Sequence, residues 1–252
     1  MSIRDGLEST SGEIRSFLMI GQSNMAGRGD FGDVEPIKNA DCFMLRMGRW
    51  QKMTEPINPD REILNPKWHS GISLAASFAD ELAKATGGRV GLIPCADGGT
   101  RIAQWMPGEI LYDHALLMAR LAMRTSRLSG ILWHQGESDC GSEEAVLRHK
   151  AKFCEMITAL RRDLGDPTLP LVIGELSDKS DREKWKMGDR PVLMNRQYRE
   201  IAEALPACGV ASAEGLTLKS DGIHFDSVSL REFGKRYFQV YQTLVSDGKE
   251  QE

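Results

Sequence analysis

Along this chain, short runs that are apolar at successive positions alternate with longer stretches whose apolar residues recur every three or four positions. Phe17-Leu-Met-Ile20, Cys42-Phe-Met-Leu45, Val90-Gly-Leu-Ile93, Ile131-Leu-Trp133, Leu171-Val-Ile173 and Val210-Ala-Ser212 make up the first class. Strands covered on both faces are apolar without a break, so these runs predict buried strands of a parallel sheet. In the second class, Ile72, Ala75, Ala79 and Leu82 mark one helical face between Gly71 and Thr86. Val146, Phe153, Ile157, Leu160 and Leu164 mark another from Glu143 to Leu164. Leu230, Phe233, Tyr237, Val240 and Leu244 mark a last helix, and Ser229-x-x-Glu232 has the form of a capping box near its start. Strand–helix alternation over the whole length predicts an α/β fold, a sandwich of helices on both faces of a mostly parallel sheet. Right-handed crossovers then gather the strand-to-helix loops at one sheet edge, where open α/β sheets bind ligands. The least regular part, Gly27 to Ser70, holds Pro36, Pro56, Pro59 and Pro66 and reads as surface excursions. Asp178 to Arg190 reads as a charged, helix-poor, solvated stretch.

Composition narrows the class. At 252 residues the chain fits one domain spanning 1–252, and 41% apolar against 27% charged residues is an ordinary globular balance. A net charge of −4 argues against a nucleic-acid surface. No run approaches the roughly 20 apolar residues of a membrane span, and Met1 to Arg15 contains no apolar core of a signal peptide. The five cysteines, Cys42, Cys95, Cys140, Cys154 and Cys208, lack C-x-x-C spacing, and Cys42, Cys95 and Cys208 read as small buried hydrophobes. Free thiols without a leader predict a cytoplasmic protein.

Candidate chemistry lies directly behind the predicted strands. Gly21-Gln-Ser-Asn-Met-Ala-Gly27 follows the first, Cys95-Ala-Asp-Gly-Gly-Thr-Arg101 the third and His134-Gln-Gly-Glu-Ser-Asp139 the fourth, while Asp221-Gly-Ile-His-Phe225 precedes the last helix. The fold places all four blocks at one edge. A serine hydroxyl at the tight exit after Gly21 becomes a nucleophile only when a base takes its proton. His224, three residues after Asp221, suits that task, because a carboxylate on the imidazole Nδ1–H fixes the tautomer and stabilises the imidazolium. Alone, Asp-x-x-His is an ordinary solvated pair. Acyl transfer also needs donors for an oxyanion; Gly98 and Gly99 allow close backbone approach, and Gln135 offers a side-chain amide. Each has a bland explanation as a turn or a buried loop amide. Arg101 could orient a polar substrate or simply face solvent, and Trp105 and Trp50 could meet a sugar ring or pack in the core.

These blocks resemble the SGNH (GDSL-like) hydrolase superfamily, in its carbohydrate esterase family 6 branch of acetylxylan esterase and sialate O-acetylesterase-like proteins. Gly21-Gln-Ser-Asn-Met and His134-Gln-Gly-Glu-Ser-Asp are specific to the branch; the Gly-Gly-Thr and Asp-x-x-His blocks are less so. The resemblance implies the three-layer, flavodoxin-like SGNH fold and a serine esterase removing O-acetyl groups from carbohydrates, without a metal or cofactor. It implies Ser23 as nucleophile, His224 as base and Asp221 as its acid. The implied oxyanion hole comprises the Ser23 N–H, the Gly98 N–H and the Gln135 amide, Gly98 being preferred over Gly99 for standing two positions before Thr100. Glu137 is either an alternative acid for His224 or a buried carboxylate bracing the Ser23 loop, the second being favoured because Asp221 shares a loop with His224. The branch departs from the wider superfamily in carrying Gln22 before the serine and Gln135 in place of an asparagine.

Rival readings fare worse. Gly27-Arg-Gly-Asp-Phe-Gly32 matches G-x-G-x-x-G, but it starts six residues beyond Gly21 and Pro36 follows where a helix should open. His134, Glu137 and Asp139 lack the spacing of a metal site. A non-catalytic carbohydrate-binding module on the same fold predicts a damaged constellation, whereas serine, histidine, acid and donors are all present. The expected partner is therefore a small acylated carbohydrate, with no nucleic acid and no membrane; the sequence is silent on oligomeric state.

Overall fold

A computed structural model describes residues 13–59, 69–181 and 183–247. The readings made for residues 1–12 and for Pro66 lie outside them. The elements in chain order are β1 (Ile14–Gly21), α1 (Ser23–Ala26), β2 (Cys42–Arg46), β3 (Arg49–Lys52), α2 (Leu74–Thr86), β4 (Arg89–Pro94), α3 (Ile110–Ala122), β5 (Arg127–His134), α4 (Glu143–Leu164), β6 (Leu171–Gly174), α5 (Arg190–Ala204), β7 (Cys208–Ala211) and α6 (Ser227–Asp247). Short 3₁₀ turns lie at Ile102–Trp105 and Glu137–Asp139.

One seven-stranded sheet has the order β3-β2-β4-β1-β5-β6-β7. Every neighbouring pair is parallel except β2–β3. All six predicted apolar runs lie in or overlap these strands. The sheet's exception, β3, was invisible to that pattern because Arg-Trp-Gln-Lys is an edge strand with one face in water, and charged edges resist further pairing. It is joined to β2 by Met47-Gly48, both with positive φ, a hairpin turn that matches strand twist.

Successive residues of β1 explain the unbroken apolar runs. Phe17 and Met19 enter the core beneath α2 and α6, whereas Leu18 and Ile20 enter the one beneath α3, α4 and α5. All four are 0% exposed, and burying one such side chain stabilises the fold by roughly 1.5–3 kcal/mol. The Phe17 ring meets Phe78 at 4.9 Å and Tyr241 at 5.0 Å, edge to face. On the opposite layer Trp133 meets Trp105 at 5.6 Å and Phe153 at 5.1 Å.

Helix ends follow local chemistry. The Ser73 and Ser142 hydroxyls accept N–H bonds from Ala75 and Ala145, and left-handed Gly87 and Gly165 close the same two helices. The expected capping box at Ser229 is not the start of α6. That helix opens two residues earlier, where the Asp226 carboxylate accepts the Ser229 N–H at 2.8 Å, and the Ser229 hydroxyl accepts from Thr217 N–H instead. No helix of the described residues is long and apolar enough to cross a membrane.

The order places β1 between β4 and β5. The chain leaves β1 into α1 on one face of the sheet, with Met25 and Ala26 in that core; it leaves β4 toward Ile102 and Trp105 on the other. A crevice forms where neighbouring strands send their loops to opposite faces. Ser23 starts in it.

Candidate active site

Gly21 ends β1 with φ +128°, and a Cβ there would stand 2.1 Å from the His134 carbonyl oxygen. Only glycine allows β1 and β5 to close at this point. The Gln22 N–H then donates to that same carbonyl at 2.8 Å, and Gln22 Oε1 accepts the N–H groups of Gly136 and Ser138, each at 3.4 Å. This stitching turns the chain sharply and delivers Ser23, 4% exposed, as the first residue of α1.

The opposing side chain comes from the loop before α6. The Lys219 N–H donates to the His224 carbonyl and the Gly222 N–H to the Lys219 carbonyl, with Gly222 at φ +76° in the turn. Asp221 closes the loop from within: its Oδ1 accepts the N–H groups of Ile223 at 2.9 Å and His224 at 3.0 Å. Its Oδ2 faces His224 Nδ1 at 2.8 Å, and His224 Nε2 faces Ser23 Oγ at 2.9 Å. Residues 201 positions apart thus form one hydrogen-bonded line of hydroxyl, imidazole and carboxylate. Burial raises the Asp221 carboxyl, but the two backbone donors and the His224 ring outweigh it and hold the group below the usual carboxylate range.

Gly98 lies alongside. A Cβ on it would come 3.8 Å from Ser23 Cβ and 2.8 Å from a guanidinium nitrogen of Arg28, so the absent side chain is the space in which Arg28 rests. A Cβ on Gly99, by contrast, would meet nothing within 4 Å.

Glu137 does not bond to His224. Its Oε1 accepts from Asn24 Nδ2 at 2.7 Å and lies 3.7 Å from His134 Nδ1, in a side chain 3% exposed. His134 is itself wholly buried, which pushes its pKa down, and it stands edge-on to Phe225 and Phe233.

The sequence expectations for Gln135, Trp105 and Trp50 need correction. Gln135 does not offer a donor to the serine: its amide nitrogen donates to the Thr100 carbonyl at 3.0 Å and to Asp139 Oδ2 at 2.6 Å, which occupies both hydrogens. Trp105 is no sugar platform, being 1% exposed with its indole N–H donated to Thr100 Oγ1. Trp50 lies on the edge strand β3 against Gly91 and Ile14, near the sheet's far end. Arg101 is exposed and is not among the residues lining the hollow at His224.

That hollow, about 380 Å³, is lined by Arg28, Gly29, Asp30, Phe31, His69, Ser70, Gly71, Trp185, Lys219, Asp221 and His224. Trp185 was missed because it lies in the charged stretch read as merely solvated. It is 40% exposed and its indole N–H donates to the Asp221 carbonyl at 3.0 Å. No periodicity marks such a residue, since a loop side chain is placed by its tertiary neighbours. A larger hollow of about 650 Å³ lies on the other side of Phe31, but no serine, cysteine or histidine lines it. Among the described residues no cluster of three or more His, Cys, Asp or Glu side chains is arranged to hold a metal.

Known proteins resemble this chain in sequence and in fold. A probable carbohydrate esterase of Arabidopsis thaliana is 28% identical over 247 residues, 89% of each chain. A solved structure from the same plant superposes with a TM-score of 0.80 at 25% identity, covering 92% of this chain and 99% of the other. The structure of NanS gives 0.73 at 16% identity, covering 96% and 100%. A carbohydrate acetylesterase of Xanthomonas citri gives 0.67 at 20% identity, covering 92% of this chain and 57% of its own; these last two likenesses speak for the fold. The profile of the family described as carbohydrate esterase, sialic acid-specific acetylesterase, matches residues 13–243. With its α/β sheet, its Gly-Gln-Ser-Asn turn and that match over nearly all its length, the chain belongs to this family of carbohydrate esterases.

Proposed function

We propose that this protein is a serine esterase that removes O-acetyl groups from carbohydrates, with Ser23 as nucleophile, His224 as general base and Asp221 as the orienting acid. The observation that carries the reading is the unbroken line Ser23 Oγ–His224 Nε2 at 2.9 Å and His224 Nδ1–Asp221 Oδ2 at 2.8 Å. In this reading Nε2 takes the hydroxyl proton as Oγ attacks the acetyl carbon. The imidazolium so formed is stabilised by Asp221 and then protonates the departing sugar oxygen. Water, deprotonated by the same imidazole, attacks the acetyl-enzyme, and acetate leaves as Ser23 regains its proton. The tetrahedral oxyanion is held by the N–H groups of Ser23 and Gly98. A first helical residue has no acceptor for its N–H within its own helix, and Gly98 is the glycine beside the serine. Glu137 acts structurally, a role supported by its bond to Asn24 rather than to His224.

Trp185 offers the sugar an aromatic face at the mouth of the hollow, while Arg28 and Lys219 supply polar donors there. The family's description makes an acetylated sialic acid the first substrate to try, ahead of acetylated xylan fragments. We further propose one domain over 1–252, supported by the single sheet, and a cytoplasmic setting, supported by five free cysteines of which burial raises Cys42 to about 12.

The test is acetate release from a panel of acetylated mono- and oligosaccharides, with Ser23→Ala as blank. Turnover that persists in Ser23→Ala removes the serine from the reaction. A wild-type protein that binds these sugars but releases no acetate from any, nor from p-nitrophenyl acetate, is a binding module instead.

A further inference from the structure

Asn24, next to the candidate nucleophile, is 1% exposed and makes three hydrogen bonds to two separate segments. Its Nδ2 donates to Glu137 Oε1 at 2.7 Å and to the Ile223 carbonyl at 3.3 Å. Its Oδ1 accepts the Phe225 N–H at 3.1 Å. Ile223 and Phe225 are the two chain neighbours of His224. One side chain therefore grips the base loop on both sides of the imidazole while its own backbone carries the serine.

We infer that Asn24 is a positioning residue that sets the Ser23–His224 distance, and that Glu137 acts through it by fixing which way the amide points. The inference rests on the esterase reading above. The physical reason is the asymmetry of donors and acceptors. A carboxylate only accepts, so Glu137 selects the NH₂ end of Asn24 and turns the carbonyl end toward Phe225. With the amide reversed, oxygen would oppose the Glu137 carboxylate and NH₂ would oppose the Phe225 N–H. Glu137 can impose this choice because it is held in the 3₁₀ turn after β5 and its other oxygen has no hydrogen-bond partner among the described residues. Phe225, packed 5.2 Å from Phe233 and 5.9 Å from His134, keeps the gripped end of the loop still. Reacting groups displaced by about 1 Å can lose on the order of 100-fold in rate, so a clamp of this kind bears on turnover rather than on substrate affinity.

The experiment exchanges donor and acceptor. In the full chain, Asn24→Asp sets two carboxylates against each other; combining it with Glu137→Gln restores a donor facing an acceptor, with the roles reversed. Hydrolysis of p-nitrophenyl acetate is measured well below the melting temperature and normalised to sites titrated with an organophosphonate. Asn24→Asp should lose roughly 100-fold in kcat with KM changed by less than about threefold. The double variant should recover at least about tenfold of that loss, the coupling of a contacting pair. A merely structural pair would shift the melting temperature and leave kcat per titrated site alone. Wild-type kcat in Asn24→Asp, or a double variant no faster than the single one, overturns the inference. If Asn24→Asp does not fold, Asn24→Ser replaces it, and the same inference then requires at least a roughly tenfold loss of kcat at unchanged KM. Ser23→Ala assayed in parallel separates the two claims. Activity surviving there overturns the esterase reading and this inference with it, whereas an inactive Ser23→Ala beside a wild-type-like Asn24 series overturns the clamp alone.

Discussion

Replacing Asp221 by asparagine changes the proton inventory of the site and little of its shape. The carboxylate now spends Oδ1 on two backbone N–H groups, at 2.9 and 3.0 Å, and Oδ2 on His224 Nδ1 at 2.8 Å. An asparagine retains the two backbone bonds only by keeping its oxygen where Oδ1 stands, which turns its NH₂ toward Nδ1. The imidazole then keeps its proton on Nε2, the nitrogen 2.9 Å from Ser23 Oγ, where it donates to the hydroxyl and cannot accept from it. In the Ser-His-Asp template this wrong tautomer costs roughly 10⁴ in kcat, or about 5 kcal/mol of barrier. Stability should change far less. The pair is partly exposed, with side chains 17% and 34% accessible, so its own contribution is at most about 1 kcal/mol and the melting temperature should fall by no more than roughly 2–4 °C. Steady-state hydrolysis of p-nitrophenyl acetate with a thermal melt on the same preparation measures both. A variant that melts like the wild type and keeps kcat within tenfold would refute the tautomer argument. Glu137→Gln, which can still accept from Asn24, should lose much less than Asp221→Asn; the reverse order would make Glu137 the acid.

Gln135→Ala should chiefly destabilise, because it takes the amide donor away from the Thr100 carbonyl and from Asp139 Oδ2 in the interior. The expected cost is about 1–3 kcal/mol, seen as a lowered melt, and a 100-fold kcat loss at an unchanged melt would return Gln135 to the oxyanion hole. Trp185→Ala also loses the bond to the Asp221 carbonyl, which bears on every ester. The expected signature is therefore a KM for an acetylated oligosaccharide raised about 2- to 12-fold beyond any change with p-nitrophenyl acetate, the worth of one aromatic contact; equal effects on both esters would refute a sugar-facing role. Asp139→Asn should destabilise most near neutrality. Burial pushes the Asp139 carboxyl up, but the His149 ring, the Gln135 amide and the Ile102 N–H outweigh it and hold it below the usual range. A depressed folded-state value gives stability that is complete above the unfolded value of about 3.9 and is lost as pH falls through the folded one. The melting gap between wild type and Asp139→Asn should therefore close on acidification, and a gap that widens contradicts the sign.

Sequence alone determined the layers and the blocks. Unbroken apolar runs can be satisfied only by burial on both faces, and β1 meets that demand by sending Phe17 and Met19 one way and Leu18 and Ile20 the other. The Asp221–His224 pairing was legible too, because two residues three positions apart in one tight loop have little choice of geometry. The partners of Gln135, the burial of Trp105, the arrival of Trp185 at the hollow and the bridge from Asn24 to both neighbours of His224 were decided only in three dimensions. Each of these depends on which direction a side chain takes toward residues remote in the chain. Periodicity reports whether a position is buried, not which donor meets which acceptor there. The strand β3 shows the same limit from the other side: its polar residues carry no burial signal, and only pairing with β2 makes them a strand.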